Sequence, residues 1–211
     1  MSYVLYSAAV CPYAQRVRAL LVELEQDHEL REIDLDERDP EFLALTPTGK
    51  VPLLVSGDFS LYESSVINEY LAEEHRWGRG FDANTRVRAA QRLAMKQWDA
   101  VIAPTWYASL SDESVVEERA DAVSSELDRL ERVVEAGVAD PLCLLGLHVA
   151  PFWARMTWTK KLSPLVKTIE AREDLMRWLD ATLLEPCVSE TLPPKAPTVR
   201  RYEERFGAAA K

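Results

Sequence analysis

The sequence predicts an α+β/α protein in which an N-terminal βαβαββα domain is followed by an all-helical bundle. Strand and helix patterns alternate up to residue 76, and strand patterns stop after residue 82. From there on, apolar residues recur at steps of three and four, as they do on the buried face of a helix. We therefore expect one domain over 1–76, a linker at about 77–82 and a helical domain over 83–211.

The individual elements follow from apolar periodicity and from turn residues. In the first domain, strands are predicted at 3–6, 30–35, 51–55 and 59–61, and helices at 12–24, 41–45 and 64–74. In the second, helices are predicted at 87–101, 116–134, 148–161 and 171–184. Ser56-Gly57-Asp58 has the composition of a tight turn between the last two strands. The segment from Pro193 to Lys211 begins with prolines, so the pattern leaves its order open.

Composition and charge bound the possible functions. A net charge of −10 argues against a nucleic-acid partner. The most apolar stretch, Leu142–Trp153, is interrupted and too short for a membrane span, so no membrane partner is expected. No signal peptide follows Met1, and a cytoplasmic location is the expectation. The spacing of the three cysteines and three histidines predicts neither a disulfide framework nor a metal site.

The most informative segment is 11–14, with the sequence Cys-Pro-Tyr-Ala, between the first strand and the first helix. Pro12 suits the first helical position, which places the Cys11 thiol at a helix N-terminus. The free N–H groups and the positive end of the helix dipole favour a thiolate there, and Arg16 and Arg18 add positive charge. Cys11 is thus a candidate nucleophile. The alternative is a small buried apolar residue, a common fate of a free cysteine.

Two longer motifs accompany this cysteine in order along the chain. They are Thr46-Pro47-Thr48-Gly49-Lys50-Val51-Pro52-Leu53-Leu54 and Leu61-Tyr62-Glu63-Ser64-Ser65-Val66-Ile67, the second running into an acidic helix end. With the βαβαββα order, residues 1–75 resemble the cytosolic glutathione S-transferases, whose N-terminal domain has the thioredoxin-like fold. The second half resembles that family in architecture only. A cysteine in place of the family's tyrosine or serine is similar to the omega-type and related bacterial members.

The resemblance implies a glutathione site on the first domain. The Val51–Pro52 bond would be cis and would present the Val51 backbone to the cysteinyl part of glutathione. Ser64 would bind the γ-glutamyl carboxylate at a helix N-terminus, and Glu63 would bind the α-ammonium group. The alternatives are a proline at the start of an ordinary strand and a helix-capping serine beside a surface acid.

Further positions follow from the same resemblance. Lys50 and Arg38 are candidates for the glycyl carboxylate or are solvated surface charges, and Tyr13 packs beside the thiol or in the interface between sheet and bundle. Three aromatic residues are candidates for the second-substrate pocket or for the core: Trp98, Trp106 and Tyr107. The family's capping box before the buried helix of the bundle is absent at 144–150, so the geometry there is not predicted.

These features lead to the expectation of a glutathione-dependent thiol transferase in which Cys11 forms a mixed disulfide with glutathione. Position 14 is alanine rather than a second cysteine, so an external thiol must resolve that disulfide. The second substrate would be a small electrophile or disulfide. The alternatives are conjugation of glutathione to electrophiles and a non-enzymatic regulatory protein of the stringent-starvation type, which contacts RNA polymerase. The resemblance also implies a homodimer.

Overall fold

The structure, a computed structural model, describes residues 2–80, 84–136, 140–159 and 163–206. Its N-terminal part contains β1 (Tyr3–Ser7), α1 (Pro12–Glu23), β2 (His28–Glu32), α2 (Pro40–Leu45), β3 (Leu53–Ser56), β4 (Phe59–Tyr62) and α3 (Ser64–Glu74). The strands form one sheet in the order β2-β1-β3-β4, with β1 parallel to β2 and β3 antiparallel to both β1 and β4. The predicted βαβαββα order is confirmed.

The second strand begins and ends earlier than the sequence predicts. Residues 28–32 pair with β1, from Tyr3 opposite His28 to Ser7 opposite Glu32, whereas the prediction was 30–35. β2 lies at the sheet edge, and its Leu30 is exposed. The alternation of apolar residues therefore did not predict which side chains of this strand are buried. Ile33 is buried beyond the strand, where its N–H donates to the Ser7 carbonyl at 2.7 Å.

All the elements after α3 in the described ranges are helical. The elements are α4 (Thr85–Gln97), a π-helical turn (Trp98–Ile102), α5 (Ala103–Ser109), α6 (Ser114–Glu118), α7 (Ala120–Glu135), α8 (Leu144–Trp158), α9 (Leu165–Glu170), α10 (Glu173–Leu184), α11 (Pro186–Glu190) and α12 (Lys195–Phe206). The segment whose order was left open thus forms α12, and residues 207–211 lie outside the described ranges. The proposed linker at 77–82 falls between α3 and α4, although 81–83 are also outside those ranges.

Helix α8 runs through the centre of the bundle, with every residue from Leu144 to Met156 buried, and packs on α1 and α10. It has no capping box of the family's type, as the sequence indicates, and the Cys143 sulfur accepts the Gly146 N–H at 3.4 Å in its place. A Cβ on Gly146 would lie 1.9 Å from the Pro141 carbonyl oxygen, so only glycine fits this close approach. The start of α8 is therefore fixed by a thiol cap and a backbone contact.

Candidate active site

Cys11 occupies the turn between β1 and α1, as the sequence predicts. Its N–H donates to the Ala8 carbonyl at 2.9 Å, and Pro12 follows it as the first residue of α1. The residue is partly exposed, and its Sγ lies 4.0 Å from the Val51 carbonyl oxygen. The thiol is thus at the mouth of the helix and beside the loop that precedes β3.

The pKa of the Cys11 thiol is raised above its usual value because burial disfavours the thiolate. The N–H groups of Ala14 and Tyr13 and the charges of Arg155 and Arg18 act in the opposite direction without compensating for burial. The prediction of a thiol already ionised at neutral pH is therefore wrong for the free protein.

One cavity, of about 250 Å³, lies beside the Val51–Pro52 bond, which is cis as the resemblance implies. We call it the cis-proline cavity; it is lined by Tyr13, Thr48, Lys50, Val51, Pro52, Tyr62, Glu63, Ser64 and Asp99. Six of the residues singled out in the sequence thus share one cavity. Glu63 is the N-cap of α3 and has a φ of 70°, in the left-handed region that non-glycine residues rarely occupy. Such backbone conformations concentrate at functional sites.

Ser64 does not cap α3, in contrast to one interpretation of the sequence. It is the first helical residue, and its Oγ accepts from Arg16 Nη1 at 3.1 Å. Its backbone N–H is one of the groups at a helix N-terminus that have no partner within the helix. This N-terminus therefore offers an anion-binding position at the cis-proline cavity.

A buried ion pair lies behind the same cavity. The fully buried Arg16 donates to both oxygens of Asp99, at 2.7 and 3.2 Å, and to the His148 carbonyl at 2.7 Å. Burial opposes ionisation of Asp99, but the Arg16 charge holds its pKa well below the usual range. Burial and Arg16 together lower the pKa of His148 to about 4, so this imidazole is neutral at pH 7.

A second cavity, of about 390 Å³, has Cys11 itself in its lining, unlike the cis-proline cavity. We call it the arginine cavity; it is lined by Val10, Cys11, Leu35, Arg38, Tyr107, Arg201, Tyr202, Arg205 and Phe206. Arg38 lines this cavity, whereas Lys50 lines the cis-proline cavity. The two candidates for the glycyl carboxylate are therefore in different cavities. Tyr107 lies here as well.

Comparison with known proteins identifies the family. The family model "Glutathione S-transferase, N-terminal domain" matches residues 5–79. Glutathione S-transferase F10 of Arabidopsis thaliana is 30% identical over 190 residues, which cover 79% of this chain and 86% of that protein. The chain belongs to the glutathione S-transferase family. Glutathione S-transferase 3 of Zea mays is 29% identical over 211 residues, 89% of this chain and 92% of its own length.

The fold of this glutathione S-transferase is also found in solved structures. Glutathione transferase Omega 1C from Trametes versicolor superposes with a TM-score of 0.82 at 20% identity, over 99% of this chain and 98% of that one. Poplar glutathione transferase F1 gives a TM-score of 0.76 at 17% identity, over 95% and 99% of the two chains. This likeness establishes the thioredoxin-like domain followed by a helical domain.

Two predicted pocket residues of this transferase belong to its core. Trp98 and Trp106 are 2% and 0% exposed, and both pack edge-to-face against Phe152 on α8. The indole N–H of Trp106 donates to Thr159 Oγ1 at 3.3 Å, in the interior of the bundle. Neither indole lines the cavity beside Cys11, because their helix faces turn inward toward α8.

Sequence reasoning missed the buried Arg155, which approaches the thiol from α8. Its guanidinium donates to the carbonyls of Val10 at 3.0 Å and Ala9 at 3.2 Å, and to Gln15 Oε1 at 2.6 Å. It also missed α12, whose Tyr202 and Phe206 line the arginine cavity four residues apart. One signal was present: Arg155 is the only lysine, arginine or acidic residue in α8, whose side chains are mostly apolar.

In the described part of the chain, none of the helices is long and apolar enough to cross a membrane. No group of three histidine, cysteine or acidic side chains among the described residues is placed to hold a metal ion.

Proposed function

We propose that this protein is a glutathione-dependent thiol transferase with Cys11 as its nucleophile. The observation that carries the proposal is that Cys11 belongs to one cavity and lies next to a residue that lines another. Cys11 lines the arginine cavity, while its Sγ lies 4.0 Å from the carbonyl oxygen of Val51, a residue that lines the cis-proline cavity. A sulfur placed in this way can exchange a glutathionyl group held on one side with a second substrate on the other.

In this proposal glutathione occupies the cis-proline cavity. The backbone of Val51 pairs with its cysteinyl residue, and the N-terminus of α3 at Ser64 binds the γ-glutamyl carboxylate. Glu63 and the ionised Asp99 bind the α-ammonium group, and Lys50 binds the glycyl carboxylate. The cavity thus offers opposite charges for the charged groups of the tripeptide.

The reaction is two thiol–disulfide exchanges. Cys11 first loses its proton to solvent, and its thiolate attacks the glutathionyl sulfur of a mixed disulfide. That S–S bond breaks, the product thiolate leaves with the electron pair, and a disulfide forms between Cys11 and glutathione. The thiolate of a second glutathione then attacks this bond, which yields glutathione disulfide and regenerates the Cys11 thiolate. Because its pKa is raised, we expect the rate to increase with pH above neutrality.

The test is mass spectrometry after mixing the protein with glutathione disulfide, combined with a thiol-transfer assay. We expect one glutathione adduct, on Cys11, and loss of both adduct and activity in Cys11→Ala. Cys143 and Cys187 are internal controls, because both are buried and we expect them to stay unmodified. Full thiol-transfer activity in Cys11→Ala would overturn the mechanism.

Conjugation of glutathione to electrophiles is the second candidate, and the raised pKa of Cys11 favours it. A protonated thiol can donate a hydrogen bond to the sulfur of bound glutathione, as the hydroxyl of Tyr13 in the same cavity can. This function predicts turnover of chlorodinitrobenzene without an adduct on Cys11. Absence of both activities would favour the non-enzymatic regulatory alternative.

We also propose a homodimer and a cytoplasmic location. An apolar groove of about 400 Å³ between α4 and α7, with Leu93 half-exposed at its edge, supports association with a second copy. Sedimentation velocity of the wild type and of Leu93→Asp tests this assignment, since we expect the variant to sediment as a smaller species. The location follows from the proposed reaction, because the cytoplasm maintains reduced glutathione.

A further inference from the structure

Three guanidinium groups line the arginine cavity. Arg38 comes from the segment that follows β2, and Arg201 and Arg205 come from α12. Among the described residues that line this cavity, none is acidic. In a chain whose net charge is −10, such a local excess of positive charge favours a negatively charged ligand at this point on the surface.

Carboxylates near the cavity compete for these arginines, and Asp36 is the one in direct contact with them. Asp36 forms a close ion pair with Arg201 and lies 4.0 Å from Arg205 Nη1. Arg38 makes no hydrogen bond or ion pair with the other residues that the structure describes. The charges of Asp34 and Glu204 also act on Arg201, so the carboxylates of this region are concentrated on that residue. Arg38 and Arg205 therefore leave positive charge for an incoming anion.

The rest of the cavity wall is largely aromatic. The rings of Tyr202 and Phe206 stack with their centroids 5.9 Å apart, and the ring centroids of Tyr107 and Phe206 are 6.2 Å apart. Such faces pack well against a planar ring. A volume of about 390 Å³ lies in the range of small-molecule sites. The cavity therefore combines the Cys11 thiol, an aromatic wall and a cationic rim.

We propose that the arginine cavity selects a second substrate that carries both an aromatic ring and a carboxylate or sulfonate group. The ring packs on Tyr202 and Phe206, and the anionic group binds Arg38 and Arg205. This inference rests on the proposed thiol transfer and assigns Arg38 to the second substrate instead of to glutathione.

A matched pair of probes isolates the charge. The first is the mixed disulfide of glutathione with 4-mercaptobenzoate, and the second is its neutral counterpart with 4-mercaptobenzamide. In both, the Cys11 thiolate attacks the glutathionyl sulfur, the S–S bond breaks, and the aryl thiolate leaves with the electron pair. Added glutathione then resolves the enzyme disulfide and forms glutathione disulfide.

The readout is the ratio of kcat/KM for the anionic probe to that for the neutral probe, each corrected for the uncatalysed reaction. The intrinsic reactivities of the two probes cancel when this ratio is compared between wild type and variants. We expect the ratio to fall about 3- to 10-fold in the double variant Arg38→Gln/Arg205→Gln, as the loss of charge-assisted contacts at a partly exposed site predicts. An unchanged ratio overturns the proposal.

Two further variants sharpen the result. Asp36→Asn removes the competing carboxylate, so we expect it to raise the ratio, whereas a decrease would contradict the proposal. Arg177→Gln is the matched control, since it removes an equally charged side chain from the surface of α10, where it pairs with Asp174. We expect this variant to keep the wild-type ratio.

A binding measurement keeps the inference testable if thiol transfer itself fails. Calorimetry with the unreactive pair 2-naphthoate and 2-naphthamide reports the same preference without chemistry at Cys11. We expect tighter binding of naphthoate to the wild type and loss of that preference in the double variant. Turnover of both disulfides with equal affinity for the two naphthyl compounds would refute the anion preference and leave the proposed function intact. Naphthoate selectivity without turnover of either disulfide would support the anion preference and refute the proposed thiol transfer.

Discussion

The guanidinium of Arg155 donates to the carbonyl oxygen of Val10 at 3.0 Å, and Val10 directly precedes the cysteine in the active-site turn. Through this contact, the central helix α8 of the helical part holds the turn between β1 and α1, which carries the Cys11 thiol. Arg155 is fully buried and also acts by its charge to lower the pKa of Cys11, against the larger effect of burial.

Arg155→Met should raise the pKa of Cys11 further, because it removes this positive charge. The measurement is the pH profile of the iodoacetamide alkylation rate at Cys11. Arg155→Lys keeps the charge without the forked hydrogen bonds, so it should restore the pKa in part. Arg172→Met is the control for lost stability, since Arg172 is a nearly buried arginine that pairs with Asp128. A shift of the profile in Arg172→Met as large as in Arg155→Met would show that the effect is only structural.

Asp99→Asn should destabilise the protein by about 2–3 kcal/mol, because the buried Arg16 then loses its bidentate anionic partner. The same variant should raise the KM for glutathione, since Asp99 lines the cis-proline cavity. Urea denaturation and steady-state kinetics measure the two effects. Glu69→Gln is the control, because it breaks an exposed pair with Arg92, whose loss should cost less than about 1 kcal/mol.

The stability should fall as pH decreases from about 6.5 to 4, the usual and the lowered pKa of His148. Across this window the unfolded chain binds a proton that the buried imidazole in the folded protein does not, so acid favours unfolding. The loss should reach about 3 kcal/mol. Asp99 acts in a different window: its pKa is lowered, so its stabilising effect is complete above about pH 4 and is lost on further acidification.

Urea denaturation at neutral pH and at about pH 4.5 measures this slope. His148→Gln should flatten it, while His28→Gln, a partly exposed position on β2, should leave it in place. An equally steep slope in His148→Gln would assign the pH dependence to other groups.

Gly146→Ala should destabilise the protein by about 3 kcal/mol or more, because the added Cβ would lie 1.9 Å from the Pro141 carbonyl oxygen. The backbone at the start of α8 must shift to relieve this overlap. Gly78→Ala is the matched control, since a Cβ at that position meets nothing within 4 Å, and we expect a change within about 0.5 kcal/mol. Thermal or urea denaturation measures both variants, and equal midpoints would contradict the close approach.

Local patterns were sufficient for much of the first domain. The position of Cys11 before Pro12 fixed the thiol at a helix N-terminus, because proline at the first helical position is a local preference. The resemblance to the family singled out six residues that share the cis-proline cavity: Tyr13, Lys50, Val51, Pro52, Glu63 and Ser64. β2 was misplaced, since an exposed edge strand carries no reliable alternation of buried side chains.

The electrostatics of the site depended on long-range packing. The sequence indicated positive charge near Cys11 from Arg16 and Arg18, yet Arg16 pairs with Asp99, and Arg155 arrives from a helix more than a hundred residues away. Burial raises the pKa of the Cys11 thiol by more than the N–H groups at the helix N-terminus lower it. A local sequence pattern cannot predict the net shift of the Cys11 pKa, because desolvation depends on every element packed around the sulfur.

By itself, the sequence determined the βαβαββα order, the helical second half and the place of the cysteine in the chain, since these follow from periodicity and from proline and turn residues. Only the tertiary structure decided which aromatic residues are core, which arginines face the thiol and which line the second cavity. The physical reason is that side-chain burial and charge pairing are set by contacts between distant segments, and helix α12 reaches the site only through the tertiary fold.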